Sequence, residues 1–185
     1  MTDLEILRSL LVARSVSFGD FVLSSGQRSS YYIDARKTTM SSAGLAVIGR
    51  LGLEAIRARG WSPDSVGGLT MGADPVAYAI ARASHDTGPV VDAFSVRKAA
   101  KEHGTKRRVE GNFGAGTKVV VTEDVITSGG SALQAIEAIR AEGGVILGVL
   151  AVVDREQGGR ELISAAGYDV VAITTISSLG VIAPG

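Results

Sequence analysis

No other part of the chain constrains the fold as much as Val119-Val120-Val121-Thr122-Glu123-Asp124-Val125-Ile126-Thr127-Ser128-Gly129-Gly130-Ser131. The β-branched run Val119 to Val121 is the pattern of a parallel strand covered on both faces, and a helical run from Ala132 to Arg140 follows a turn made by two glycines. Strand, tight turn and helix in direct succession form a βα unit. The rest of the chain repeats that alternation. Periodicity predicts an amphipathic helix from residue 3 to about 14, built on Leu4, Ile6, Leu7, Leu10 and Leu11. Short strands within 18 to 40 and a helix over 42 to 59, ending at Gly60, come next. Strands are then expected at 65 to 70, 89 to 96, 118 to 123, 145 to 153 and 168 to 176, with helices at 74 to 83, 131 to 142 and 157 to 166 between them. The sum is an α/β chain with a central parallel, doubly wound sheet flanked by helices, read as one domain over 1 to 185. The tail from Ser177 to Gly185 carries no pattern and is expected to fray.

In open α/β sheets ligands bind outside the carboxyl ends of the strands. Glu123 and Asp124 fall there, and carboxylates at that edge can hold sugar hydroxyls directly or through a hydrated Mg²⁺. Thr127 to Ser131 follow at once. Gly129 and Gly130 let backbone N–H groups approach an anion, the Thr and Ser hydroxyls add donors, and the helix opening near Ser131 aims the positive end of its dipole at the same spot. The same residues also suit an ordinary tight connection with Ser131 as N-cap. What weighs against that reading is the acidic pair, which would weaken a bare phosphate site but suits a phosphorylated sugar. No Lys follows the glycines as in GxxxxGK[ST], and GxGxxG spacing is absent.

The second chemical signal is a concentration of positive charge. From Arg97 to Arg108 there are six Lys or Arg against one acid, Glu102, and since the whole chain has 19 basic and 19 acidic residues the remainder is correspondingly negative. No aromatics are interleaved for stacking on bases, and Gly104 discourages a continuous helix, so a nucleic-acid patch fits poorly. Such a concentration calls for an anion, and the resemblance described below implies a loop that closes over a diphosphate, its Lys and Arg stabilising negative charge as a leaving group departs. At 185 residues, 45% hydrophobic and 21% charged, the chain can bury one core. With no Cys there are no disulfides and no thiol catalysis, and two His (His85 and His103) offer little to a structural zinc. The start Met1-Thr2-Asp3-Leu4-Glu5 is acidic, and no apolar run reaches the ~18 residues of a membrane span. The expectation is a cytoplasmic protein with neither membrane nor nucleic acid as partner.

The thirteen residues from Val119 to Ser131 resemble the phosphoribosyl diphosphate (PRPP) signature of the type I phosphoribosyltransferases. Three further stretches resemble the orotate phosphoribosyltransferase family within that group: Arg97-Lys98-Ala99-Ala100-Lys101-Glu102-His103-Gly104-Thr105-Lys106-Arg107-Arg108-Val109-Glu110-Gly111 its catalytic loop, Ser24-Ser25-Gly26-Gln27-Arg28-Ser29-Ser30-Tyr31-Tyr32-Ile33-Asp34 its amino-terminal hood, and Val152-Val153-Asp154-Arg155 its base-binding strand end. The resemblance covers roughly residues 18 to 155 and implies the type I phosphoribosyltransferase fold, with a small hood mainly from residues 1 to 40. It implies transfer of the phosphoribosyl group from PRPP to orotate, giving orotidine 5′-monophosphate and diphosphate in pyrimidine biosynthesis, with Mg²⁺ required. It also implies a homodimer with shared active sites.

Carried over residue by residue, the resemblance makes Lys101, His103 and Asp124 catalytic. PRPP would be held by Arg97, Lys98, Lys101, His103, Glu123, Asp124, Val125, Ile126, Thr127, Ser128, Gly129, Gly130 and Ser131, and orotate by Thr127, Arg155, Tyr32 and Ile33. Mg²⁺ would arrive with PRPP, Asp124 being its one candidate protein ligand. Two positions depart from the pattern. Ser24 stands where many members have Lys, and Met71-Gly72-Ala73 where many have an aromatic-Lys-Gly run. Another base phosphoribosyltransferase would share the PRPP signature but not the basic loop and hood together. A non-catalytic PRPP sensor would need a nucleic-acid-binding element that this sequence does not show.

Overall fold

The computed structural model describes residues 1–22, 28–99 and 107–181. The chain opens with helix α1 (Asp3–Leu10), started by a reciprocal capping box in which Thr2 Oγ1 accepts from the Glu5 N–H while Glu5 Oε2 accepts from the Thr2 N–H. One wider π turn, Leu11–Ser15, ends the helical stretch, and Leu7 and Leu11 are fully buried. Strands β1 (Val16–Val22) and β2 (Arg28–Ile33) pair antiparallel as a separate two-stranded sheet, the hood. A register shift between Phe18 and Phe21 puts the irregularity at Gly19-Asp20. The segment expected to continue as strand to residue 40 is instead a short helix, α2 (Arg36–Thr39). Thr38 explains this turn: its hydroxyl donates to the Leu10 carbonyl and bonds Ser15 Oγ at 2.7 Å, tying the end of the hood back to the end of the first helix.

Helix α3 (Ser42–Ala58) leads to the main sheet, whose elements are β3 (Ser65–Leu69), α4 (Ala73–Thr87), β4 (Asp92–Val96), β5 (Val109–Gly111), β6 (Lys118–Ile126), α5 (Gly130–Ala141), β7 (Val145–Asp154), α6 (Gly159–Ala165) and β8 (Val170–Thr175). Strand order is β5-β4-β3-β6-β7-β8, all neighbours parallel except the edge pair β4 and β5. That short antiparallel strand was not expected. Three residues are too few to show a period against the polar background of the basic segment.

Burial explains the valine runs. Val120, Leu150 and Val152 join Ile48, Ile56, Val76 and Ile80 on the face covered by α3 and α4, whereas Val119, Val121, Val149 and Ala151 join Ile136, Ile139 and Ile163 on the face covered by α5 and α6. Both faces are dry, so no polar alternation survives in the sequence. Helix α4 runs to Thr87, past the expected end at 83, because Ser84 Oγ turns inward to bond the Ala81 and Val91 carbonyls and the Val91 N–H. The tail as far as Val181 is better fixed than expected, since Ser177–Leu179 form a 3₁₀ turn and Leu179 and Val181 enter the core; residues 182–185 lie outside the described residues. No helix among the described residues is long and apolar enough to cross a membrane.

Candidate active site

The first strand of the main sheet, β3, lies beside β6, with later elements added outward on either side. This is where strand order reverses, and the crevice at the carboxyl ends of such a pair is the usual ligand site. Here it opens into a cleft of about 1850 Å³ walled by β2 and the start of α2, the loop after β3, the residues after β4, and the ends of β6 and β7.

The acidic pair sits inside strand β6 rather than beyond it. On the β7 side pairing continues to Ile126↔Asp154, but on the β3 side it stops at Gly67↔Val121. Thr122 is still covered, its hydroxyl donating to the Ala73 carbonyl, and from Glu123 onward β6 lines the cleft. Glu123 is only 4% exposed and its Oε1 has no hydrogen-bond partner among the described residues. Burial pushes its carboxyl from 4.5 up to about 8, with the neighbouring Asp124 charge acting in the same direction. Burial also raises Asp124, although its carboxylate accepts the Val125 N–H at 2.9 Å and feels the Arg36 guanidinium. Two carboxyls crowded into little water favour a ligand that brings positive charge or hydroxyl donors.

Next to them Glu123 and the residues from Val125 to Ala132 enclose a smaller cavity of about 90 Å³. The N-cap of α5 is Gly129, at φ 80°, not Ser131, and no side chain caps the helix. Its first N–H groups are left for another acceptor, which is what an anion seat requires. Gly129 is demanded by more than its φ, since a Cβ there would come within 2.7 Å of the Gly159 carbonyl oxygen at the start of α6. Ile126 itself is buried in the core and contributes backbone only.

Opposite the acids, the loop after β3 is closed onto α4. Thr70 Oγ1 donates to Asp74 Oδ2 at 2.5 Å, Ser95 Oγ donates to Asp74 Oδ1 at 2.7 Å, and Tyr78 OH bonds Ser95 Oγ at 2.9 Å. A Cβ at Gly72 would lie 2.5 Å from Asp124 Oδ1, so this loop and the acidic strand end meet because residue 72 has no side chain. The family lysine absent from this position could not be added without moving one of them.

Arg97 and Lys98 line the cleft. The base of the segment that follows is fixed: the Arg97 N–H donates to the Arg108 carbonyl, and Glu142 Oε1, at the end of α5, accepts the Arg108 and Val109 N–H groups. Lys101 and His103 lie outside the described residues, as does Ser24.

At the far end Arg155 follows directly on β7, its N–H bonded to the Ile126 carbonyl. It is 6% exposed, yet Nε and Nη2 have no acceptor among the described residues. Tyr32 and Ile33 line the adjacent wall, with the Tyr32 ring against Phe21 at 5.7 Å between centroids. The structure thus gathers Tyr32, Ile33, Arg97, Lys98, Glu123, Asp124, Val125, Thr127, Ser128, Ser131 and Arg155 around one cleft. Sequence reasoning missed Asp34, Arg36, Thr70, Asp74, Tyr78 and Ser95, which line it too. Asp34 and Arg36 form a bidentate pair at 2.8 and 3.2 Å, and that pairing holds the Asp34 carboxyl below its usual range. A Thr four residues before an Asp at a strand-to-helix turn was the one readable signal for the Thr70–Asp74 bond; nothing local marked the others.

The chain is similar to known proteins along most of its length. Residues 39–178 match the phosphoribosyl transferase domain family. The chain is 43% identical over 182 residues to the orotate phosphoribosyltransferase of Aquifex aeolicus (strain VF5), covering 97% of this chain and 98% of that one. It is 45% identical over 178 residues to the orotate phosphoribosyltransferase of Mycobacterium avium (strain 104), covering 96% and 97%. Among solved structures, Mycobacterium tuberculosis H37Rv orotate phosphoribosyltransferase in complex with PRPP superposes with a TM-score of 0.82 at 40% identity, over 97% of this chain and 99% of that one. The chain belongs to the orotate phosphoribosyltransferase family.

Proposed function

We propose that this chain transfers the phosphoribosyl group of PRPP to orotate in the cytoplasm, as the step of pyrimidine biosynthesis that forms orotidine 5′-monophosphate. The observation that carries the reading is that one cleft is lined both by the uncapped start of α5 and by a buried Arg155 whose Nε and Nη2 have no acceptor among the described residues. The first suits a 5′-phosphate and the second a planar carboxylate, which a guanidinium holds with two parallel donors.

In the reaction the bond from the anomeric carbon to the diphosphate oxygen breaks, the bonding pair leaving with diphosphate, and the orotate ring nitrogen supplies the pair for the new bond as its proton passes to the departing diphosphate. Little covalent help is needed; positioning, neutralisation of the leaving group and exclusion of water do the work. Ser128 to Ser131 hold the 5′-phosphate. Glu123 and Asp124 take the ribose hydroxyls, and Asp124 faces the positive charge that develops on the sugar. Arg97 and Lys98, with Lys101 and His103, meet the diphosphate; Lys101 is the main electrophilic or acid contributor. Arg155 and the backbone at Tyr32 and Ile33 fix the base, with Thr127 beside it.

Mg²⁺ fits this site. The described residues contain no cluster of three or more ligating side chains, but the crowded carboxyls suit a cation that brings most of its oxygens with it, as Mg²⁺ on a diphosphate does. Asp124 would hold it, and it would neutralise charge on the departing diphosphate. The working unit is taken to be a homodimer with shared sites. Subunit exchange between Lys101→Ala and Asp124→Asn proteins should then restore activity, and exchange without recovery would place each loop in its own subunit.

The direct test is loss of orotate absorbance on adding PRPP and Mg²⁺, run beside adenine, hypoxanthine and uracil. Turnover of orotate alone supports the reading. Preference for a purine would reassign the base.

A further inference from the structure

The hood motif carries two adjacent tyrosines, and the structure separates them. Tyr32 is 42% exposed and forms part of the cleft wall, whereas Tyr31 is 8% exposed, packs into the core and is not among the cleft-lining residues. In a strand, neighbours point to opposite faces, so the two rings cannot both address the same ligand. What Tyr31 does address is Arg155. The guanidinium carbon stands 5.2 Å from the centroid of the Tyr31 ring. That distance is within the range where a ring face attracts a cation, and the attraction is strongest where water is excluded.

From this juxtaposition we infer that Tyr31 is a positioning residue that selects the carboxylate of the base by holding Arg155 in place. The inference rests on the orotate reading of the cleft. Arg155 cannot shed its charge, is nearly out of water, and forms no ion pair among the described residues. A buried cation with unused donors is held only where something satisfies it from another side. The Tyr31 ring face does so while making no demand on Nε or Nη2, which stay available for a ligand. A protein carboxylate in its place would stabilise the guanidinium as well but would compete with the substrate. The ring is fixed in turn by its own strand: Ser29 Oγ donates to the Tyr31 carbonyl at 2.7 Å, and Tyr31 pairs with Phe18 across the hood. Recognition of the carboxylate is thereby tied to the small sheet.

The test compares substrates rather than total activity. Tyr31→Leu should raise KM for orotate by about tenfold, or ~1.4 kcal/mol, while kcat and KM for PRPP stay within about twofold. The inhibition constant of uracil, the same ring without the carboxylate, should not change, so the discrimination between orotate and uracil falls by the same factor. Tyr31→Phe keeps the ring face and should restore the wild-type KM. In an Arg155→Ala background the effect of Tyr31→Leu on orotate should vanish, because the residue acts through the one already removed. If Tyr31→Leu fails to fold by circular dichroism, Tyr31→Met, whose flexible chain adapts to the space without offering a ring face, takes its place. An equal rise in KM for both substrates, or a penalty that persists without Arg155, would make Tyr31 an ordinary core residue and overturn the inference. A wild-type protein that does not consume orotate would instead overturn the functional reading itself.

Discussion

Glu123 in β6 and Arg155 just past β7 lie on adjacent strands at the same sheet edge, and both are almost out of reach of water, 4% and 6% exposed. Each has a polar atom without a partner among the described residues. Their chemistry then diverges. Glu123 meets burial by holding its proton up to about pH 8, so the acidic wall can change charge when a ligand arrives. Arg155 has no such escape, and its charge is met by the face of the Tyr31 ring. One end of the cleft is adjustable and the other is permanently set for an anion. That difference suits a substrate pair in which one partner carries its own cation and the other a bare carboxylate.

The comparison can be broken at the fixed end first. Arg155→Ala should raise KM for orotate by about 30-fold, equivalent to ~2 kcal/mol for a lost charge-assisted pair, with KM for PRPP little moved. Equal effects on both substrates would mark Arg155 as structural. Next in size is Asp124→Asn, which should lower kcat by at least ~10-fold, or ~1.4 kcal/mol of transition-state stabilisation, with the melting temperature unchanged or higher because a buried charge is removed. Full turnover in that variant would leave the acidic wall without a catalytic part.

Two smaller effects sharpen the picture. Gly72 has φ −65° and ψ −40°, which Ala adopts freely, so the consequence of Gly72→Ala is steric alone. Its methyl would press on Asp124 and should raise KM for PRPP by about fivefold, ~1 kcal/mol, without touching KM for orotate. A silent Gly72→Ala would show that the β3 loop and the acidic strand end can part without cost. Smallest is a slope. Glu123 binds its proton more tightly folded than unfolded between pH 4.5 and about 8, so the stability it supports is full below that window and declines as pH rises through it. Melting temperatures of the ligand-free protein should fall across the window, and Glu123→Gln should flatten the fall. Parallel curves for the two proteins would mean that Glu123 is ionised throughout.

Much of this was legible in the chain because the strands are long and dry. Val119 to Val121 and the run through Val153 could hardly be anything but buried parallel strands, and the glycines at 60 and 129 marked real boundaries. What could not be read were features set by distant partners. Strand β6 runs past Glu123 because β7 continues beside it, a matter of pairing that the polar residues conceal. Helix α2 exists because Thr38 reaches Ser15 and Leu10, more than twenty residues back. The Asp74 network with Thr70, Ser95 and Tyr78 joins a strand end, a helix and a second strand, and only the Thr70–Asp74 spacing hinted at it. The tyrosine pair is the clearest case: the sequence shows two rings side by side, and only the alternation of a placed strand shows that one faces the cleft and the other faces Arg155.

Orotidine 5′-monophosphate is the one molecule that carries a phosphate, ribose hydroxyls and the carboxylate together, so a crystal structure of the protein with it spans both ends of the cleft at once. The account predicts the phosphate against the uncapped turn from Ser128 to Ser131, the hydroxyls beside Glu123 and Asp124, and the carboxylate on Nε and Nη2 of Arg155 with the Tyr31 ring still behind it. A phosphate at that turn with the carboxylate pointing away from Arg155, or a nucleotide bound in the opposite direction, would contradict it.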